Sequence, residues 1–120
     1  MQNSDWWQRL FAAIDGKRTQ DFVSFLTEDG EFRFGNGPGV HGRAAVGAYV
    51  DGFFGMIDSS KHELVRAWND DGTAVCEGNV TYTRLDGSQV TVPFVNVFYM
   101  RGTDIARYLI YIDNTPLFAA

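Results

Sequence analysis

The chain has 120 residues, a formal net charge of −5, 45% apolar residues and 15% aromatic ones. That length carries one domain with a core of its own, taken here as residues 1–120, and the ten scattered Lys and Arg form no basic stripe, which excludes nucleic acid as a partner. A lone Cys76 excludes an internal disulfide and a cysteine metal centre, no apolar run reaches the ~18 residues of a membrane span, and the N-terminus lacks an export pattern, so the expected compartment is the cytoplasm.

Ser4 and Asp5 are cap candidates ahead of WWQRLFAAI, where Leu10, Phe11 and Ile14 recur at helical spacing and predict a helix from about Asp5 to Ile14. Thr19 opens a second, shorter helix in TQDFVSFL, with Phe22, Val23, Phe25 and Leu26 on one face. EDGEFRF then alternates Phe32 and Phe34 against Glu31 and Arg33, the period of a half-buried strand. The loop GNGPGVHG leads into RAAVGAYVDGFFGMI, whose Val46, Tyr49, Val50, Phe53, Phe54 and Ile57 form an apolar helical stripe despite three glycines. From Ser60 onward, KHELVRAW, TAVCEGNVTYTRL, QVTVPFVNVFYM and DIARYLIYID are separated by NDDG, DGS and RGT, all hairpin signals, and predict a four-stranded antiparallel meander. The order is α-α-β-α-β-β-β-β, an α+β fold with the helices gathered on one face of a strongly curved sheet.

That order, with FRFGNGPGVHGRAAVGAYVDGFF in its middle and VPFVNVFY then IARYLIYID at its end, resembles the nuclear-transport-factor-2-like superfamily, and within it the SnoaL-like branch. The resemblance implies a cone-shaped, cystatin-like barrel with a pocket between the sheet's concave face and the helices, and a homodimer through the sheet's outer face. It implies no single activity, because the superfamily holds isomerases, epoxide hydrolases, cyclases, dehydratases, carriers and accessory domains. Ketosteroid isomerases of this kind use a tyrosine and two acids; those positions fall here on Leu10, Phe34, and Val95 or Asn96. Epoxide-hydrolase-like members place an arginine and two aspartates at positions that fall on Asn79, Thr81 and Ile110, and the SnoaL-like cyclases' base also falls on Ile110. Every family carboxylate that could be aligned is replaced. Asn96 retains an amide that can donate a hydrogen bond to a ligand carbonyl.

The remaining polar residues have two readings each. Asp113 either is catalytic or ends the last strand and accepts a backbone N–H in DNTPLF. His62 is a general base or a hydrogen-bonded structural histidine, and its neighbours at period two are Leu64, Arg66 and Trp68. Glu77 alternates with Asn79 and Thr81 and either faces the pocket as an acid or base, or pairs with Arg66 or Arg84 at an edge. Tyr108 shares the phase of Ile110 and Ile112, which puts Arg107, Leu109 and Tyr111 on the outer face, where Tyr and Arg suit a dimer interface.

The expectation is a homodimeric pocket protein that binds a small, mostly apolar ligand with one or two oxygens through Phe34, Asn79, Thr81, Phe94, Asn96, Tyr108 and Ile110. Phe11, Phe32 and Phe53 complete the expected lining, and no cofactor or metal is expected. The alternative is an isomerase, dehydratase or cyclase acting on a polyketide- or steroid-like substrate through His62, Glu77 or Tyr108. A dimerisation or accessory module with a filled core is the third.

Overall fold

The structure is a computed structural model that describes residues 3–119; the first two residues and the last of the 1–120 span lie outside the described residues. Helix α1 (Ser4–Asp15) is capped by Asn3, one residue earlier than expected, whose Oδ1 accepts the Trp6 N–H at 3.0 Å. Such a cap contributes about 1 kcal/mol. Its apolar stripe buries Trp7, Leu10, Phe11 and Ala13. Helix α2 (Thr19–Val23) is a single turn and a half. It ends before Phe25 and Leu26, and Leu26 is already the first residue of β1 (Leu26–Phe34). Thr19 is not the cap: its hydroxyl donates to the Asp51 carboxylate and ties α2 to α3 (Arg43–Phe54).

Within the glycine-rich loop lies a two-residue strand, β2 (Val40–His41), paired antiparallel with β1 at Phe32 and Glu31. The predicted meander follows as β3 (Ile57–Asp70), β4 (Thr73–Arg84), β5 (Gln89–Arg101) and β6 (Asp104–Ile112). Its first hairpin turns through Asp71 and Gly72 at φ 48° and 79°. Positive φ at both central residues matches the right-handed twist of the flanking strands. A short helix α4 (Thr115–Phe118) closes the described chain. Asp113 accepts the Thr115 N–H at 3.1 Å ahead of it, the turn-capping arrangement.

Six strands form one curved open sheet in the order β2-β1-β6-β5-β4-β3. All pairings are antiparallel except β1 with β6, which run parallel, with Phe32 beside Tyr108 and Phe34 beside Ile110. The three N-terminal helices cover the concave face, and the core is packed between them and the inward residues of β4, β5 and β6. No helix among the described residues is long and apolar enough to cross a membrane.

Two departures from period-two reading matter for the site. Val65 is an extra residue in β3, since Leu64 pairs with Gly78 but Arg66 pairs with Glu77. The bulge rotates Arg66 and Trp68 onto the face opposite His62. On β4 the inward set is Ala74, Cys76, Gly78, Val80 and Tyr82, so Glu77, Asn79 and Thr81 face outward, contrary to expectation. The reason is packing. An inward Glu77 or Asn79 would expel Val80 and Tyr82 from the core, and only glycine at 78 leaves room for the Phe94 ring, which would come within 3.0 Å of a Cβ there.

Candidate active site

Between the helices and the concave face lies a cavity of about 50 Å³, walled by aromatic rings from α2, α3, β1, β4, β5 and β6. Phe22, Phe32, Phe94, Tyr82 and Tyr108 are buried in this wall, whereas Ile14, Phe34, Tyr49 and Phe53 are half-buried and form its rim. Among these hydrocarbons stand a few hydrogen-bonding side chains, chiefly His62, Asn96, Ser60 and three tyrosines.

His62 is held by a carboxylate from another element. Helix α1 ends at Gly16, Lys17 turns the chain at φ 55°, and its Nζ donates to the Ile57 carbonyl at 2.8 Å, which docks the end of α1 on the start of β3. That junction brings Asp15 against β3. Asp15 Oδ1 lies 2.6 Å from His62 Nδ1 and accepts the Ser60 hydroxyl at 2.8 Å, while Oδ2 accepts the His62 backbone N–H at 2.9 Å. Burial opposes ionisation of Asp15, but the bond and charge of the His62 ring, its backbone N–H and Ser60 outweigh it and hold the carboxyl below its usual range. An ionised Asp15 can only accept, so Nδ1 carries a proton, and in the neutral imidazole the lone pair is then on Nε2. Phe11 stacks on the imidazole at 4.9 Å and Phe94 meets it edge-on at 5.3 Å, fixing the ring plane.

Asn96 points inward from the middle of β5 and is 2% exposed. No donor of the described residues reaches its Oδ1. A buried acceptor left unpaired costs about 1–3 kcal/mol. Across the ladder, the Cys76 thiol is pushed up to about 12 by burial, with the Asn96 backbone pulling the other way, so it is an un-ionised and poor nucleophile. Burial also raises the Tyr108 hydroxyl, aided by the nearby Cys76, Asp15 and Tyr82, and burial then Asp15 raises Tyr82. Both phenols therefore stay protonated and serve as donors.

A profile of the SnoaL-like domain matches residues 7–108, which include every residue lining the cavity except Ile110 and Ile112. The chain belongs to the SnoaL-like family. No curated protein matches this SnoaL-like chain. Solved structures do, at low identity and high structural similarity. An NTF2-like protein of unknown function from Burkholderia pseudomallei superposes with a TM-score of 0.85 at 15% identity, over 93% of this chain and 91% of that one. A hypothetical protein with a ketosteroid isomerase-like fold from Catenulispora acidiphila, in complex with trimethylamine, gives 0.83 at 16% identity over 92% and 86%. A candidate SnoaL-like polyketide cyclase from Jannaschia sp. CCS1 gives 0.80 at 15% identity over 93% and 85%. At these identities the likeness is one of fold, and the fold is compatible with a ligand-binding or a cyclase-like protein.

In this SnoaL-like protein the cavity brings together Phe34, Phe94, Asn96, Tyr108 and Ile110, with His62 on the same wall. It does not include Asn79, Thr81 or Glu77; Thr81 instead shares a hydrogen bond with Thr91 at 2.8 Å on the outer face. Asp15 was missed by the sequence reading, as was Ser60. At a helix end followed by glycine, Asp15 reads as a terminator, and its partner stands 47 residues away.

Proposed function

We propose that this chain is a small-molecule enzyme of the acid/base type, in which His62, oriented by Asp15, transfers a proton on a mostly apolar ligand bearing one or two oxygens. The observation that carries this reading is the Asp15–His62 pair, a 2.6 Å contact behind a ring that lines an aromatic cavity. With Nδ1–H committed to Asp15, Nε2 takes a proton from carbon next to a carbonyl. The imidazolium that forms is stabilised by the carboxylate at its back. Return of that proton to another carbon gives isomerisation, its delivery to the alkoxide left when the enolate carbon attacks a second carbonyl of the ligand gives ring closure, and its delivery to a departing hydroxyl gives dehydration. Asp15 borders an outer groove with Trp7, Phe11 and Leu64 and not the cavity, so its role is to position His62.

The cavity, at about 50 Å³, is far below the roughly 300 Å³ of drug-sized ligand sites. A polycyclic substrate would have to displace Tyr49 and Phe53 on the rim, and we read the ligand as small. Trimethylamine, with which the Catenulispora protein of this fold is in complex, is of that scale.

Binding without turnover is the second reading. It is favoured by Phe34 and Ile110, apolar residues on the cavity wall where aligned enzymes carry acids. 3-Hydroxycyclopentanone, which loses water to an absorbing enone, separates the two. Saturable turnover that falls about 10²–10⁴-fold in His62→Gln supports the acid/base reading. Saturable binding with no turnover leaves only the second reading.

We also propose a homodimer through the outer sheet face. It is supported by Val65, Trp68, Tyr99 and Tyr111, all large and exposed there at 40–66% of their surface.

A further inference from the structure

Asn96 is the one side chain in the cavity wall whose buried acceptor lacks a donor among the described residues. Its surroundings explain why none reaches it. Phe94 and Phe98 flank it on the same face of β5, and Cys76 and Ile110 stand opposite it on the two neighbouring strands. The Ser60 hydroxyl is turned away to Asp15, and the imidazole Nδ1–H is likewise spent on that carboxylate. A leucine would fill the same space without stranding an acceptor, so the amide is informative about what enters the cavity.

We propose that Asn96 is a specificity residue that accepts a hydrogen bond from the ligand, so that the cavity selects a small apolar molecule carrying a hydroxyl group over its carbonyl counterpart. This reverses the role that the sequence alone suggests for the amide, that of a donor to a ligand carbonyl. The inference rests on the cavity being the ligand site, and is independent of whether His62 turns that ligand over. The rest of the lining is consistent with it. The Nε2 lone pair of His62, which His62→Gln removes, is the competing acceptor on this wall, the aromatic rings offer none of comparable strength, and the protonated Tyr82 and Tyr108 hydroxyls are available for a second, accepting oxygen elsewhere on the ligand. A molecule that pairs a hydroxyl with a carbonyl across a short apolar frame meets both requirements.

Cyclopentanol and cyclopentanone have the same ring and differ only in whether the oxygen can donate. Their affinities for the purified protein, read from the Asn96 side-chain amide and cavity methyl signals by NMR titration, provide the test. The alcohol is expected to bind about fivefold to tenfold tighter, the effect of one neutral hydrogen bond. Asn96→Leu should bring the ratio to about one, and Asn96→Ala serves the same comparison where the leucine variant does not fold. In His62→Gln the preference should persist, which separates this inference from the acid/base reading: loss of turnover with the preference intact removes only the latter. Equal affinities, a preference for the ketone, saturation by neither, a preference that survives in the Asn96 variants, or one that disappears in His62→Gln each overturns the inference.

Discussion

The two faces of the sheet are built from the same strands and have opposite chemistry. On the concave face, β4, β5 and β6 present Cys76, Val80, Tyr82, Phe94, Asn96, Phe98 and Tyr108, all at 3% exposure or less, and the Phe98 and Tyr108 rings lie 4.2 Å apart. On the outer face Arg107 lies over Tyr99 and bonds Glu31, Arg33 lies over Tyr111, and Arg66 lies over Trp68. Leu109 is buried at 3% in the middle of that face yet belongs to no part of the main core, sheltered in the ladder between Arg33 and Val97. Strand alternation, with the β3 bulge, sorts an aromatic pocket from an arginine–aromatic surface. The contrast rests on the register of β3, β4 and β5.

Gly78 is where the concave face tolerates least. A Cβ there would stand 2.4 Å from the Glu63 carbonyl on β3 and 3.0 Å from the Phe94 ring. Gly78→Val should destabilise the fold by about 3 kcal/mol, near the upper end of overpacking costs, measured by urea denaturation. Gly52 on α3 is the matched control. Nothing lies within 4 Å of its Cβ position, so Gly52→Ala should stabilise by up to about 1 kcal/mol. Equal effects at the two positions would mean that the β3–β4 register is wrong.

Asp15 links the concave face to α1, and its removal should carry a pH signature. Its folded-state pKa is lowered, by the His62 ring and backbone and by Ser60 acting against burial. The ionised form therefore stabilises the native state at pH values above the unfolded carboxyl's roughly 3.9, and that contribution is lost as pH falls through the lower folded value. Asp15→Asn should cost about 1–2 kcal/mol at pH 7, the worth of charge-assisted hydrogen bonds partly open to water, and less as pH drops below about 4. A difference that grows in acid would contradict this bonding of Asp15.

Trp68 tests the outer face. It is 40% exposed and lies beside Arg66 at 5.2 Å, on the side of β3 that the Val65 bulge turns away from His62. If that face is a homodimer interface, sedimentation velocity should show the wild type as a dimer and Trp68→Glu shifted to monomer, with cavity binding unchanged. A monomeric wild type would remove the proposal.

Much of this architecture was legible in the sequence because short-range rules produce it. The α1 stripe, the alternation of Phe32 and Phe34, the hairpin glycines and the inward phase of Tyr108 and Ile110 are all patterns within a few residues. What escaped depends on pairing across the chain. The parallel β1–β6 ladder joins residues 76 to 79 apart, and the Asp15–His62 contact joins a helix terminus to a strand 47 residues on. The β3 bulge has no sequence mark beyond an extra apolar residue, yet it decides where Arg66 and Trp68 point. The β4 facing was different. Its own alternation of Ala74, Cys76, Val80 and Tyr82 against Glu77, Asn79 and Thr81 pointed to the structure's answer, and aligning to relatives' catalytic positions led away from it.

Glu77 makes the smallest predicted effect and the sharpest check on that register. Facing outward opposite Arg66 and Val95, exposed and off the cavity wall, it has no core contact to lose. Glu77→Ala should change stability by no more than about 0.5 kcal/mol, as surface substitutions do, and leave cyclopentanol affinity unaltered. Asn79→Ala should behave alike, its neighbour on the ladder being Pro93 and its side chain exposed. Were either substitution to weaken ligand binding severalfold while leaving the fold intact, β4 would have to be shifted by one residue. That shift would carry Cys76, Val80 and Tyr82 to the outer face, which the burial of all three excludes in the present packing.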